Sequence, residues 1–248
     1  QLAGMFAGGL AAQWYGPQAS FFLAAGGALA GLFLSLLIKE SVPSGVSPLH
    51  LSDVPKILRN FHLLLASGLA ILVQFLVYGT VFGFVPLAAK QMGASNLELG
   101  LLTTLSVAPS IVASMLSGTF FARTLGPRRS ICLGFFLLAA TTAFIPLLTS
   151  LTQLYASQMI GGFGRGLAFP LLMTLGVQSV DDGVRATAMG VFQSLYAAGM
   201  FVGPVMVGLI GDWAGLNAGF WLCSLCGLAG AVVAWFYAGE SAGRRNYA

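Results

Sequence analysis

Residues 153–176 read QLYASQMIGGFGRGLAFPLLMTLG, twenty-four residues with one charge, Arg165, near the middle. As a helix this stretch is about 36 Å long at 1.5 Å per residue, enough to cross a hydrocarbon core roughly 30 Å thick. A charge at that depth costs roughly 2.5–3.5 kcal/mol on insertion scales, so Arg165 needs a watery cavity or a partner. Three readings stay open: a structural contact with a carboxylate or backbone carbonyls, a contact with substrate or coupling ion, or a displaced span. Gly161, Gly162, Gly164 and Gly166 around it permit close helix approach or local unwinding.

Working outward, six more stretches have the length and character of spans, near 19–38, 62–88, 98–121, 131–149, 187–210 and 218–238. Residues 1–12 read as the tail of another, with no basic leader or cleavage site, so the chain is expected to be a fragment. Composition agrees. Of 248 residues, 57% are hydrophobic and 7% charged, against about 25% charged in a soluble domain. The 11 Lys and Arg are scattered and the net charge is only +4, which argues against a nucleic-acid partner. The 33 glycines suit close helix packing in lipid. The expected fold is an all-α polytopic bundle of about eight transmembrane helices.

The basic residues assign an orientation. With 39–61 on the cytoplasmic side, Lys39, Lys56, Arg59, Arg123, Arg128, Arg129, Arg185, Arg244 and Arg245 all lie inside, and Lys90 lies outside. Linker and C-terminus are then cytoplasmic, and the short outer loops suit a bacterial inner (plasma) membrane. The stretch 39–61, with Pro43, Pro48 and Pro55, reads as a linker between two membrane units, and Leu49–Asn60 as a short interfacial helix capped by Ser52 or Asp53.

An ungapped repeat lays residues 4–32 over 203–231, a shift of 199. It pairs Gly4 with Gly203, Gly9 with Gly208, Trp14 with Trp213, Gly16 with Gly215, Phe21 with Phe220 and Gly31 with Gly230. The division expected is 1–38 as the last two helices of one six-helix unit, 39–61 as linker, and 62–248 as a second such unit. Four further spans are expected ahead of Gln1. Parallel repeats of this kind are a transporter architecture.

Three stretches resemble the major facilitator superfamily. GTFFARTLGPRR at 118–129 is similar to the family's cytoplasmic Gly-x-x-x-Asp-Arg-x-Gly-Arg-Arg loop through Gly118, Arg123, Gly126, Arg128 and Arg129, with Ala122 at the Asp position and one extra residue before Gly126. GMFVGPVMVG at 199–208 is similar to its Gly-x-x-x-Gly-Pro-x-x-Gly-Gly antiporter pattern through Gly199, Gly203, Pro204 and Gly208, with Val207 departing. Residues 158–170, with Gln158 where an Arg stands in the family's fourth helix, resemble its helix-ten entry. The resemblance implies helices five to twelve of a twelve-helix fold, a basic loop that gates the cytoplasmic face, and a monomer when full length.

Candidate substrate or coupling residues are Arg165 with Gln74 and Tyr78, spaced i and i+4, and Gln193 and Tyr196, spaced i and i+3. For each of these two pairs the alternative is interhelical hydrogen bonding without a ligand. The run Thr103, Thr104, Ser106, Ser110, Ser114 and Ser117 reads as packing glue, and Pro86, Pro109, Pro146 and Pro170 as kinks. The Cys223-x-x-Cys226 pair sits in an apolar run without nearby His, so no metal site is expected. No phosphate-binding loop or catalytic cluster is present, and neither an enzyme nor a cofactor is expected. The expected function is alternating-access secondary transport of a small organic molecule across the lipid bilayer, with proton-coupled efflux leading. Uptake of a sugar or organic anion, or a half-size dimerising or transport-inactive scaffold, is the alternative.

Overall fold

The computed structural model describes residues 2–37 and 54–237. Among the described residues every regular element is helical. In order they are α1 (Leu2–Tyr15), α2 (Pro17–Leu36), α3 (Val54–Ile57), α4 (Phe61–Leu76), a π-helical segment (Val77–Phe84), α5 (Val85–Gln91) and α6 (Asn96–Leu116). A second π segment (Ser117–Phe121) follows, then α7 (Ala122–Thr124), α8 (Pro127–Phe144), α9 (Leu151–Gln178), α10 (Arg185–Ala214) and α11 (Leu216–Tyr237). Seven rods are long and apolar enough to cross a membrane: Gln18–Leu36, Phe61–Gln91, Asn96–Thr124, Pro127–Leu147, Leu151–Gln178, Asp182–Ala214 and Leu216–Phe236. These are the seven expected spans with shifted ends: those of α4 to α5, α6, α9 and α10 run past the expected bounds at both ends, while those of α2, α8 and α11 begin earlier and end earlier than expected. Of the expected interfacial helix, the described part is helical over α3 and not over residues 58–60; its first residues with the expected caps Ser52 and Asp53, Lys39 of the linker, and Arg244 and Arg245 lie outside the described residues.

Local chemistry sets the ends of the rods. Asn60 caps α4 by accepting from Leu63 N at 3.0 Å, and its amide donates to the Ser179 carbonyl at 2.8 Å, tying α4 to the end of α9. Ser95 and Glu98 form a reciprocal capping box at α6. Gly16 and Gly215, paired by the repeat, both break their helix pairs with φ 86°, and ψ 168° and 154°. A side chain is strained at such a φ, which accounts for glycine at both breaks. Gly126, ahead of α8, has φ 82° with open space around it. Gly126→Ala should therefore cost about 1–3 kcal/mol through backbone strain alone, seen as a lowered melting temperature of the purified protein; an unchanged melting point would contradict this geometry.

The six rods from Phe61 onward pack together, with α9 between α6 and α8, α11 on α8, and α4 against both α9 and α10. α1 rests on α2 and α6, and α2 is exposed along its length from Phe21. Glycines bring the rods together. A Cβ on Gly162 would strike the Ser106 carbonyl, and one on Gly166 the Ser110 carbonyl, so these two fit α9 onto α6. Gly164 and Gly134 do the same between α9 and α8, each Cβ falling 2.7 and 2.6 Å from the other's carbonyl oxygen. The glycines around Arg165 thus serve close approach, while α9 stays unbroken from Leu151 to Gln178.

The prolines act unevenly. Pro109, Pro170 and Pro204 stand inside continuous α-helices, and Pro146 opens a 3₁₀ turn, Ile145–Leu147, at the end of α8. Pro86 stands just after the first π segment. It lacks the N–H that would reach back to Phe82. Thr80 Oγ1 also donates to the Leu76 carbonyl at 2.6 Å. Together these relax the regular ladder over Val77–Phe84, and wider turns of this kind recur at functional sites.

Candidate functional site

A cavity of about 250 Å³ opens where α9, α6 and the first π segment meet. Its lining includes Gln74, Tyr78, Phe82, Ser110, Arg165 and Phe169. Arg165 projects from the middle of α9, half-buried, and its Nη2 donates to Ser110 Oγ at 2.9 Å. Ser110 in turn donates its proton to the Val107 carbonyl at 2.7 Å, which leaves its oxygen free to accept. The guanidinium carbon lies 5.9 Å from the centre of the Phe82 ring, within reach of a cation–π attraction. Among the described residues no carboxylate pairs with Arg165; the ion pair present, Arg185 with Asp182 at 2.9 Å, is elsewhere. Of the two structural readings, the carboxylate contact is therefore not made within the described chain, and a hydroxyl takes its place.

Gln74 and Tyr78 both reach this cavity. Gln74 lies on the last turns of α4 and is largely buried, while Tyr78 sits in the π segment and meets the Phe82 ring at a tilt of 54°, with centroids 5.3 Å apart. The second expected pair divides. Tyr196 meets the cavity-lining Phe169 edge to face, centroids 5.3 Å apart, and meets Phe192 at 5.6 Å. Gln193 is exposed and does not line the cavity. Residues at i and i+3 stand about 60° apart around a helix, and the packing of Phe192 and Tyr196 on Phe169 directs only one of the two inward.

Several cavity residues were not anticipated as such, Ser110, Ser114 and Phe82 among them. Ser110 and Ser114, read as packing glue, line it, and Phe82 forms its aromatic wall. The serine spacing of four was the available signal, since it puts both on one face. Phe82 had none, because aromatic residues on a span are ordinary.

The glycine-proline stretch of α10 is a packing surface. A Cβ on Gly199 would strike the Ile71 carbonyl and one on Gly203 would come 2.5 Å from the Phe75 carbonyl, so α10 lies backbone to backbone against α4. Gly203 also faces Gly79 of the π segment, half-buried Pro204 follows, and Gly208 meets the edge of Phe84. In the basic loop, Gly118 falls in the second π segment, Arg123 and Arg129 are exposed, and Arg128 lies 4.5 Å over the Trp235 ring of α11.

In chemical terms the cavity offers a fixed cation with several unused donors, an amide, a hydroxyl pair and aromatic faces. That set can hold a small molecule with an anionic or polar head and a flat apolar body. It contains no activated nucleophile or acid–base pair.

Comparison with known proteins agrees in kind. The chain is 25% identical over 142 residues, 57% of its length, to Quinolone resistance protein NorA of Staphylococcus aureus, matching 36% of that protein. It is 25% identical over 171 residues, 69% of its length, to Multidrug resistance protein 2 of Bacillus subtilis, matching 42% of that protein. The chain thus aligns with less than half the length of each of these relatives. The family model described as Major Facilitator Superfamily matches residues 67–247, from within α4 past the end of α11. With more than half its length so matched and its spans in place, the chain belongs to the Major Facilitator Superfamily, a family of transporters and not of enzymes.

Proposed function

We propose that the chain is part of a secondary transporter that exports a small, aromatic organic molecule by alternating access, with the Arg165 cavity as part of its substrate path. The carrying observation is Arg165 itself: a mid-span cation held by Ser110 and Phe82 and facing a cavity, with no carboxylate partner among the described residues. A cation kept in a membrane span at that cost is a functional group by default. The export direction is supported by the printed names of the two relatives, a quinolone resistance protein and a multidrug resistance protein. The lack of a carboxylate partner favours a substrate with an anionic group. On this reading residues 1–38 close one six-helix unit, 39–61 link it to the next, and 62–248 form the second; the protein works as a monomer in a bacterial inner membrane with its linker and C-terminus inside. Proton coupling would need an acid from outside the described spans, whose carboxylates Glu98, Asp182 and Asp212 stand at their ends.

The test uses Gln74→Cys in a cysteine-free version of the full-length protein. A quinolone carboxylate should slow thiol alkylation at this site severalfold, whereas ethidium, an aromatic cation, should not. Protection by ethidium alone would reverse the charge assignment. Protection by neither, with transport also lacking, would favour the scaffold reading.

A further inference from the structure

Alternate spans run in opposite directions, so the start of α8 and the end of α11 lie at the same face of the bundle as Arg123, Arg185 and the start of α4. At that face, between α8 and α11, an open groove of about 600 Å³ is walled by Cys132, Leu133, Phe136, Leu228, Val232 and Trp235, among others. On α11 its walls extend from Leu228 to Phe236, a separation of eight positions, or about 12 Å at 1.5 Å per residue. That is most of one leaflet's share of a hydrocarbon core roughly 30 Å thick. The groove is outside the Arg165 cavity; the two share no lining residue.

A cation stands against one wall of the groove. Arg128 lies over the Trp235 ring at 4.5 Å, and Trp235 is a groove wall. Its Nε–H is buried with no hydrogen-bond partner, and no ion pair engages the guanidinium among the described residues. The exposed Arg129 adjoins it at the first turn of α8. Aromatic and arginine side chains at this depth sit at the headgroup level. The site is therefore apolar along its length and doubly cationic at its headgroup end.

We propose that this groove binds an anionic phospholipid, with an acyl chain along α8 and α11 and the headgroup phosphate on Arg128. An arginine fork matches a phosphate's oxygens and is weakly hydrated, so it suits this interfacial role. A lipid with a neutral, zwitterionic headgroup would fill the same groove without an excess of negative charge to meet the arginines. The groove then acts as a headgroup selector on the outside of the bundle, independent of what the central cavity carries.

The experiment is native mass spectrometry of the full-length protein with phosphatidylglycerol and phosphatidylcholine of matched chains. Wild type should retain phosphatidylglycerol about tenfold better. Arg128→Gln should remove that preference, and Val232→Trp, which fills the groove from an exposed wall, should cut retention of both lipids. Equal retention of the two lipids by wild type, or an Arg128→Gln variant with its preference intact, would overturn the proposal. So would displacement of the lipid by glycerol phosphate, which would mean an anion site without a groove. A second measurement avoids altering Arg128. The share of fluorescence lost in Trp235→Phe reports on Trp235, and phosphatidylglycerol brominated on its chains should quench that share more than brominated phosphatidylcholine; equal quenching would also overturn the proposal.

Discussion

Arg165→Ala in the full-length protein should lose transport of an anionic substrate by about tenfold to hundredfold, the worth of one charged hydrogen bond at roughly 1.5–3 kcal/mol. Membrane insertion should improve or stay level, because the variant sheds the roughly 2.5–3.5 kcal/mol cost of a mid-span cation. The two effects have opposite signs, which separates function from folding. A structural role for the Nη2 to Ser110 bond would instead lower both expression and transport. Arg165→Lys keeps the charge but not the fork, so transport should fall only partly, with the loss in apparent affinity rather than in maximal rate. Uptake into energised vesicles, normalised to the folded protein recovered, decides it. Full transport by Arg165→Ala would remove the central claim about this cavity.

Gly162→Val should be the most damaging small substitution in the bundle, costing about 3 kcal/mol or more by overpacking. The first added carbon would fall on the Ser106 carbonyl, which belongs to the backbone of α6 and cannot rotate away. Either α6 moves or α9 does, and both line the Arg165 cavity. Gly68→Ala is the matched control, since nothing lies within 4 Å of its Cβ position. That change should be neutral or slightly stabilising, because alanine favours a helix by about 1 kcal/mol over glycine. Thermal unfolding in detergent should rank Gly162→Val far below wild type and Gly68→Ala level with it. A well-folded Gly162→Val would show that α6 and α9 are not in such contact.

Much of the architecture was legible beforehand. The spans follow from runs of apolar residues, and the breaks at Gly16 and Gly215 follow from a shared Trp-x-Gly pattern. The Gln74–Tyr78 pair was also legible, because spacing of four on a helix is geometry. The π segment was not. Thr80 and Pro86 are its local causes, but many helices carry such residues without widening, and here the close packing of Gly79 on Gly203 accompanies the departure. Gln193 shows the opposite case, a polar residue at a plausible spacing whose neighbour Tyr196 is drawn in by Phe169 and Phe192 while it stays exposed.

By itself the sequence determined that the chain crosses a membrane, how many times among the described residues, and roughly where each span lies. Those outcomes rest on local terms that add along the chain: the transfer of side chains into hydrocarbon, caps, and the backbone limits of proline and glycine. Only the tertiary structure decided which face of each helix turns inward, and so which polar residues meet around Arg165. Lipid tails are as apolar as a neighbouring helix, so hydrophobicity does not choose between them. The choice falls to steric fit, and here Gly162, Gly164, Gly166, Gly199 and Gly203 make it by admitting backbone where any other residue would hold it away.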